Sequence, residues 1–588
     1  MPENTTIRIL PEDLTNKIAA GEVIDRPASV VKELVENSID AGATEITVIV
    51  KEGGKELIQV VDNGASMNES DLLLAFQRHA TSKINSYHDL VHIRTLGFRG
   101  EALASIASVA RVEARAILQG EHSGHLIRID GGVMQELEGA GGNAGTSITI
   151  KNIFYNTPAR RKFLRATSTE YRQILKVMNR FFLAYPEVAF DFVKEAEIMY
   201  ELKKESLPER IGAVFGKRVQ NNLLPIENEG PLKISGFIGN QDTVRSSRGD
   251  QYLYFNRRYF SNKNLNYAVF SAFGDIIPKG AYPVFIAFLE MDAEQADVNV
   301  HPAKMEIKFA NEQLVFTSLR GAVKRALNVQ QIVPNLSPQH DSRQPFTHSD
   351  FSSSFKQGKQ TPPPRPNLEN WVESTFFKEM APDSKDQEAG QAVPSPRDVF
   401  EPTNVWQVHN KYILSQIKNG LILIDQHVAH ERILYEQALE SFEKRKPSSQ
   451  QLLFPQLIEL SAEDHSFLLE MLPFLEHVGF VLKAFGKNTV VMEGVPSDIK
   501  IRDEQKMLLS IIDEFKRGKK DSVDIRDNIA KSVACHTAIR TGEPLSLKAM
   551  NALIDQLFST KEPYFCPHGR PVIVNLTLDE LDKRFRRS

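Results

Sequence analysis

The sequence predicts a mixed α+β protein of several domains, and three observations lead there. The chain has 588 residues, which at about 150 residues per domain implies roughly three or four units, each long enough to bury a core. Helix-spaced segments alternate with strand-like runs, and no internal repeat is evident. One stretch, residues 332–402, differs in composition. It reads NLSPQHDSRQPFTHSDFSSSFKQGKQTPPPRPNLENW and then APDSKDQEAGQAVPSPRD, rich in Pro, Ser, Gln and charge and without either periodicity. Such a segment buries too little apolar surface to fold and is expected to be a flexible linker.

Composition narrows the class. Hydrophobic residues at 41% and charged residues at 25% are ordinary globular values, which exclude a wholly disordered or fibrous chain. No apolar run approaches the ~20 residues of a membrane span. The opening MPENTTIRILPEDL lacks the basic and apolar regions of a secretory signal. Only Cys535 and Cys566 occur, which excludes a disulfide scaffold and suits a reducing compartment, so a cytoplasmic protein is expected. A formal net charge of −4 gives no overall attraction to nucleic acid, so any DNA binding must rest on local basic patches.

In the N-terminal half, Ala28 to Asp40 (ASVVKELVENSID) reads as a helix with Pro27 suited to its first turn. EITVIV and ELIQVV read as strands, the second ending at Asp62-Asn63-Gly64. GTSITIKNIF alternates like a strand and leads into NTPARRKFL, and the pattern from about Lys217 is richer in strands. On a wheel of ~100° per residue, Asn37 and Asp40 fall within about 40° of Glu33, opposite Val31, Leu34, Val35 and Ile39. One face therefore meets a sheet, and the other carries a carboxylate, an amide and a second carboxylate in line. Glu36 lies about 60–70° off that line. Gly97-Phe98-Arg99-Gly100, before the helix-like ALASIASVA, places glycine backbone where amides and a helix dipole meet phosphate. His79-Ala80-Thr81-Ser82-Lys83, Gly145-Thr146 and His301-Pro302-Ala303-Lys304 are further pieces of the same chemistry.

The succession IAAGEVIDRPASVVKELVENSIDAGAT, DNG, RHATSKI, LGFRGEALASI, FYNTPARRKFL and DVNVHPAKMEIKF resembles the MutL family of DNA mismatch-repair proteins. That family belongs to the ATPase superfamily it shares with gyrase B, Hsp90 and histidine kinases. The resemblance implies a GHKL (Bergerat) ATPase sandwich over residues 1–215, a transducer domain over 216–331, and an α+β dimerisation and endonuclease domain over 403–588. It implies ATP and Mg²⁺ as cofactors, with Glu33 as the general base and Asn37 as the Mg²⁺ ligand. Asp62 matches the carboxylate that accepts from the adenine amino group, and Gly64 and Thr146 line the same pocket. Thr81, Ser82, Lys83, Gly97, Arg99 and Gly100 belong around the phosphates, and Lys304 matches the lysine projected onto the γ-phosphate. The chain departs from the family's Asp-Asn-Gly-x-Gly at one place, where Ser66 stands for the last glycine. Nucleotide binding is expected to persist because Asp62 is kept.

Arg160, Arg161 and Lys162, with Arg165, Arg172 and Lys176, concentrate positive charge, and Arg257, Arg258 and Lys263 form a second cluster. A charge run is commonly only a solvated face. The resemblance implies DNA binding without sequence specificity and with strong salt dependence.

In the C-terminal domain, LILIDQHVAHERILYE contains Asp425, His427, Glu431 and Glu436, and the two cysteines fall in ACHTAIRTGE and CPHGRPVIV, the latter with His568. Carboxylate, imidazole and thiolate together form the donor set of a divalent-metal site. These motifs resemble the MutL subgroup whose C-terminal domain is a metal-dependent endonuclease, with Val428 where Ala is usual. Asp425 and Glu431 are the implied catalytic carboxylates, and Asp425, His427, Glu431, Cys535, Cys566 and His568 the implied ligands. The division of roles between Zn²⁺ and Mn²⁺ or Mg²⁺ stays open. Gln450-Gln451-Leu452-Leu453-Phe454-Pro455 resembles the family's sliding-clamp peptide. The implied partners are DNA, a MutS-type mismatch-recognition protein, the polymerase sliding clamp and a second copy of the chain. A rival reading is an ATP-driven scaffold that summons a separate nuclease.

Overall fold

The structure, a computed structural model, describes residues 24–84, 95–97, 99–277, 281–292, 295–297, 307–332, 405–443, 449–497, 504–518 and 525–587. The chain divides into two units, Met1–Val333 with Asn404–Ser588, and Pro334–Thr403. The second unit lies outside the described residues.

Helix α1 (Pro27–Asp40) begins with proline in its first turn and buries Val30, Val31, Leu34 and Val35. It stops at Ala41, whose amide bonds back to Asn37, and at Gly42, which takes a left-handed φ of 72°. The chain then forms β1 (Glu45–Lys51) and β2 (Leu57–Asp62), both with alternating burial. A short helix α2 (Glu69–Ala75) and α3 (Ala102–Val109) precede β3 (Arg111–Ile117), β4 (Ser123–Asp130), β5 (Val133–Gly141) and β6 (Gly145–Lys151). The five-residue α4 (Pro158–Lys162) and the long α5 (Thr167–Ala184) lead to β7 (Ala189–Lys194), β8 (Glu197–Leu202) and α6 (Leu207–Phe215).

These strands make one eight-stranded sheet in the order β5-β4-β3-β6-β2-β1-β7-β8. Only the β1–β7 joint is parallel; the other pairings are antiparallel. Ile46, Val48, Val50, Ile58, Val60, Val112, Ala114, Ile148 and Ile150 share one core with the apolar stripes of α1 and α5. The sheet thus has one face covered by helices, the usual solution for a largely antiparallel sheet.

A second sheet follows: β9 (Leu223–Asn228), β10 (Lys233–Gly239), β11 (Gln251–Phe255), β12 (Arg258–Phe260) and β13 (Phe285–Glu290), in the order β12-β11-β13-β10-β9. Its central strands are buried on both faces, and the period of two explains how. Tyr252, Tyr254 and Ile286 enter the first core, whereas Leu253, Phe255, Phe285, Ala287 and Leu289 enter a second core. The second core also takes Leu265, Val269 and Phe273 of α7 (Lys263–Phe273) and Val315, Leu319 and Val323 of α8 (Glu312–Ile332). Asn256 and Arg257, with φ of 46° and 66°, turn β11 into β12 as a two-residue hairpin loop.

The C-terminal part has two separate cores. Strands β14 (Val405–Val408), β15 (Tyr412–Ile417), β16 (Gly420–Asp425) and the last strand β20 (Ile573–Thr577) form an antiparallel sheet. It is packed against α9 (Gln426–Glu443) and α13 (Leu547–Phe558). Strands β17 (Ser449–Glu459), β18 (Val481–Ala484) and β19 (Thr489–Pro496) form the other sheet, with α10 (Ala462–Val478) and α11 (Glu504–Gly518). Helix α12 (Ile525–Thr537) packs on both α9 and α11.

Candidate functional site

The polar line on α1 meets two other segments through one residue. Asp40 accepts from the amides of Leu96 at 2.8 Å and Gly97 at 3.0 Å, and from Lys83 Nζ at 2.6 Å. The same ammonium donates to Asn37 Oδ1 at 2.8 Å. Helix, Thr81–Lys83 turn and the start of the glycine loop are therefore tied together at Asp40, whose place two helical turns after Glu33 is legible in the sequence but whose partners are not. Lys83 N also bonds Thr81 Oγ1 at 3.2 Å, whereas Ser82 and Arg99 are exposed. Gly100 has φ of 63° and accepts from His79 N, and a Cβ there would fall 2.4 Å from Ala80 O, so only glycine fits. Lys304 lies outside the described residues.

Glu33 and Glu36 both pair with Lys32, whose Nζ is 2.8 Å from Glu33 Oε1. Burial works to lower the Lys32 pKa, but the charges of Glu36 and Glu33 outweigh it and raise it. The two carboxylates are separated by exposure: Glu36 is buried at 7%, whereas Glu33 is part-exposed.

Asp62 ends β2 opposite Thr146 of β6. It accepts from Ser38 Oγ at 2.7 Å and Gly64 N at 3.0 Å, with a further backbone bond from Thr146. Burial raises its pKa above 3.8, and these three donors only partly offset that. Gly145, with φ of 125°, lets β6 approach so closely that a Cβ would sit 2.0 Å from Asp62 O. Ser66 needs no such freedom, because its φ is not positive. Its hydroxyl donates to Gly145 O at 3.0 Å and lies 3.4 Å from Thr146 Oγ1. The departure from glycine thus supplies a polar tie across the mouth of the Asp62 pocket. Asn37 and Asp40 offer oxygen atoms of the kind Mg²⁺ takes, and Lys83 Nζ bridges the two.

Among the basic residues, Arg161 and Lys162 are exposed on α4 beside Phe163, itself 85% exposed, and Arg160 is half-buried. Lys263 is exposed, and Arg257 pairs with Glu187 at the surface. Arg258 points inward instead: its Nη2 donates to Thr95 O at 2.9 Å and Leu96 O at 3.0 Å. Arg172 is buried, bonded to Glu470 at 2.6 Å and lying 4.3 Å over the Phe467 ring. Lys176 pairs with Glu463.

In the C-terminal part, Glu431, Cys566 and His568 converge, their ligand atoms all within 4.8 Å of one another. His568 Nδ1 is 2.7 Å from Glu431 Oε1. That bond raises the His568 pKa; Glu431 is lowered, because His568 and His427 outweigh its burial. Carboxylate, thiolate and imidazole at this spacing suit Zn²⁺. Cys535 is close enough to feel Glu431 and Cys566, and burial, then those charges, push its thiol up to about 11.

Asp425 caps α9, its Oδ1 accepting from His427 N and Val428 N at 3.0 and 3.1 Å. His427 Nδ1 lies 2.9 Å from Ile539 O. Glu436 holds Arg432 and the amides of Lys561 and Glu562. Gln426 is fully buried and donates to Asn410 O at 2.9 Å and Glu543 O at 3.0 Å, partners that its place in the chain does not reveal. Gln450, Leu452, Leu453, Phe454 and Pro455 lie on β17 across a register shift between Gln451 and Gln456. Leu453 and Phe454 are 87% and 73% exposed.

A sheet covered by α1, with a buried Asp at a strand end and a glycine loop held beside the polar helix line, defines an ATPase domain of the GHKL type. Residues 25–130 match the family model of histidine kinase-, DNA gyrase B- and HSP90-like ATPases. Residues 211–328 match the DNA mismatch repair protein C-terminal domain, and residues 405–545 the MutL C-terminal dimerisation domain. The chain is 39% identical to the DNA mismatch repair protein MutL of Chlorobium phaeobacteroides and 41% identical to that of Chlorobium phaeovibrioides, each over 98% of this chain and 99% of the relative. Among solved structures, the N-terminal domain of a DNA repair protein matches with a TM-score of 0.47 at 24% identity, over 54% of this chain and 98% of that one. The chain belongs to the MutL family of DNA mismatch-repair proteins. Among the described residues no helix is long and apolar enough to cross a membrane.

Proposed function

We propose that this protein couples ATP binding and hydrolysis in its N-terminal half to nicking of DNA by its C-terminal part. The observation that carries the nuclease reading is the convergence of Glu431, Cys566 and His568, with Glu431 on the helix α9 that Asp425 caps. A divalent cation held there would supply Lewis acidity and an activated water for attack on a phosphodiester. Glu431 and His568 orient one another, and Asp425 and His427 stand at the head of the same helix; Cys535, on α12, lies outside that three-residue cluster but within electrostatic reach of Glu431 and Cys566.

In the N-terminal half, Glu33 is the general base and Asn37 the Mg²⁺ ligand. Asp62, Gly64 and Thr146 receive adenine. Thr81, Ser82, Lys83, Gly97, Arg99, Gly100 and Lys304 surround the phosphates, where positioning and neutralisation of charge lower the barrier. The protein acts in the cytoplasm as a homodimer, through domains spanning 1–215, 216–331 and 403–588 around a flexible 332–402 linker. Arg160, Arg161, Lys162, Arg257 and Lys263 meet DNA backbone without reading bases, whereas Arg258 is turned inward. A MutS-type protein delivers the mismatch signal, and the exposed Leu453-Phe454 pair recruits the sliding clamp.

The test is supercoiled plasmid with Mn²⁺ or Mg²⁺, beside Asp425→Asn and Glu33→Ala variants. Nicking lost in Asp425→Asn and partly kept in Glu33→Ala supports the reading. An intact plasmid with the unmutated protein, clamp and ATP refutes the nuclease and leaves a scaffold that summons one.

A further inference from the structure

The peptide 95–97 is gripped from two sides. On one side its amides meet α1, Leu96 N and Gly97 N donating to Asp40 at 2.8 and 3.0 Å. On the other its carbonyls meet the second sheet, Thr95 O and Leu96 O accepting from Arg258 Nη2 at 2.9 and 3.0 Å. Asp40 is in turn held by Lys83, the ammonium that also holds Asn37. An unbroken run of hydrogen bonds therefore joins Asn37, in the nucleotide site, to the first residue of β12. Each link is to a charged group, the class of hydrogen bond that is shorter and stronger than the neutral kind.

The strand that carries Arg258 is not free to give way alone. β12 is hydrogen-bonded to β11, and β11 is buried along its whole length between the two cores. The hairpin turn before Arg258 holds both residues at positive φ, which fixes where the guanidinium emerges. Leu96 and Arg258 also line a cavity of about 40 Å³ with Lys32, Glu36, Arg180 and Tyr185, between α1, α5 and the edge of the second sheet. There is thus room beside the grip for a small displacement. A movement of residues 95–97 on phosphate binding at Gly97–Gly100 would pull on Arg258 and, through it, on the second sheet.

We propose that Arg258 is a positioning residue that transmits nucleotide occupancy from the 95–97 peptide to the second domain, rather than a DNA-phosphate contact. The proposal rests on the ATP-site reading above. Hydrogen–deuterium exchange is measured on the full chain with and without a non-hydrolysable ATP analogue and Mg²⁺. The unmutated protein should gain protection both at 95–97 and across β11–β13. In Arg258→Ala the gain at 95–97 should remain while the gain across β11–β13 falls several-fold. Arg258→Lys, which keeps the charge and donors on a shorter stem, should restore part of it.

The salt dependence of DNA affinity is read on the same proteins, and Arg258→Ala should leave its slope unchanged. A slope reduced by about one with the β11–β13 response intact makes Arg258 a phosphate contact and overturns the proposal. An equal loss of response in Tyr259→Leu, which loosens the same sheet edge but keeps the guanidinium, makes the effect one of general packing and also overturns it. No response at 95–97 in the unmutated chain overturns the proposal, while calorimetric titration with the same analogue decides nucleotide binding separately.

Discussion

Replacing Asp62 by Asn separates what the pocket does from what the fold needs. An ionised carboxylate offers about four acceptor sites. Ser38 Oγ, Gly64 N and Thr146 N take three of them, which leaves about one for the amino group of adenine. In Asp62→Asn the amide oxygen can keep Gly64, and Ser38 can turn to accept from the new NH₂. The pocket then presents a donor to a donor. Loss of a charged hydrogen bond, with a polar group left unmatched, costs about 3 kcal/mol, or about 100-fold in Kd.

Stability should move the other way. Burial raises the Asp62 pKa above 3.8. The folded state therefore holds the proton more tightly than the unfolded chain does. Its contribution is full below the unfolded value and is lost as pH rises through the folded one. At neutral pH the ionised group costs the fold something, and Asn removes that cost. The variant should unfold at the same or a higher denaturant concentration while binding nucleotide far more weakly. In the unmutated protein, nucleotide affinity should also decline as pH falls through the raised pKa, whereas the variant should show no such decline. Calorimetric titration with ATP alongside urea unfolding decides the matter. Nucleotide affinity within about threefold of the unmutated protein would sink the adenine assignment.

Four further outcomes are expected. Arg210 is fully buried and donates to the carbonyls of Phe182, Pro186, Val188 and Lys203 and to Glu205. Arg210→Met should cost about 3–5 kcal/mol and lower the first thermal transition by roughly 10 °C; a shift under about 2 °C would contradict this. Changing Arg160, Arg161 and Lys162 together to Ala should reduce the slope of log affinity against log salt by about 2–3 for any DNA sequence. An unchanged slope removes α4 from the DNA surface. Changing Leu453 and Phe454 to Ala should abolish clamp capture with no change in thermal unfolding, since both side chains are exposed; retained capture places the contact elsewhere. Cys566→Ser should lose bound zinc as measured by elemental analysis, and zinc held at the original stoichiometry would exclude Cys566 as a ligand.

Much of this protein is readable in the order of its residues, because local patterns carry it. The stripe Val30, Val31, Leu34, Val35 and the Pro27 start declare α1, and the spacing of Glu33, Asn37 and Asp40 declares its polar line. The family motifs name the chemistry from residue order alone. The role of Arg258 was not readable in this way. Arg257 and Arg258 are adjacent and alike in sequence, yet one turns to Glu187 at the surface and the other to two backbone carbonyls more than a hundred residues away. Both line the same small cavity, and nothing in their spacing says which acceptor each will reach. Ser66 shows the same limit, since its fit depends on β6 passing within hydrogen-bond reach. Residue order alone specifies the elements, the domain class and the donor atoms available, since periodicity and residue chemistry are local properties. Which donors meet which acceptors is settled by the folded chain, because those partners are supplied by segments that chain order leaves far apart and the sheets bring together.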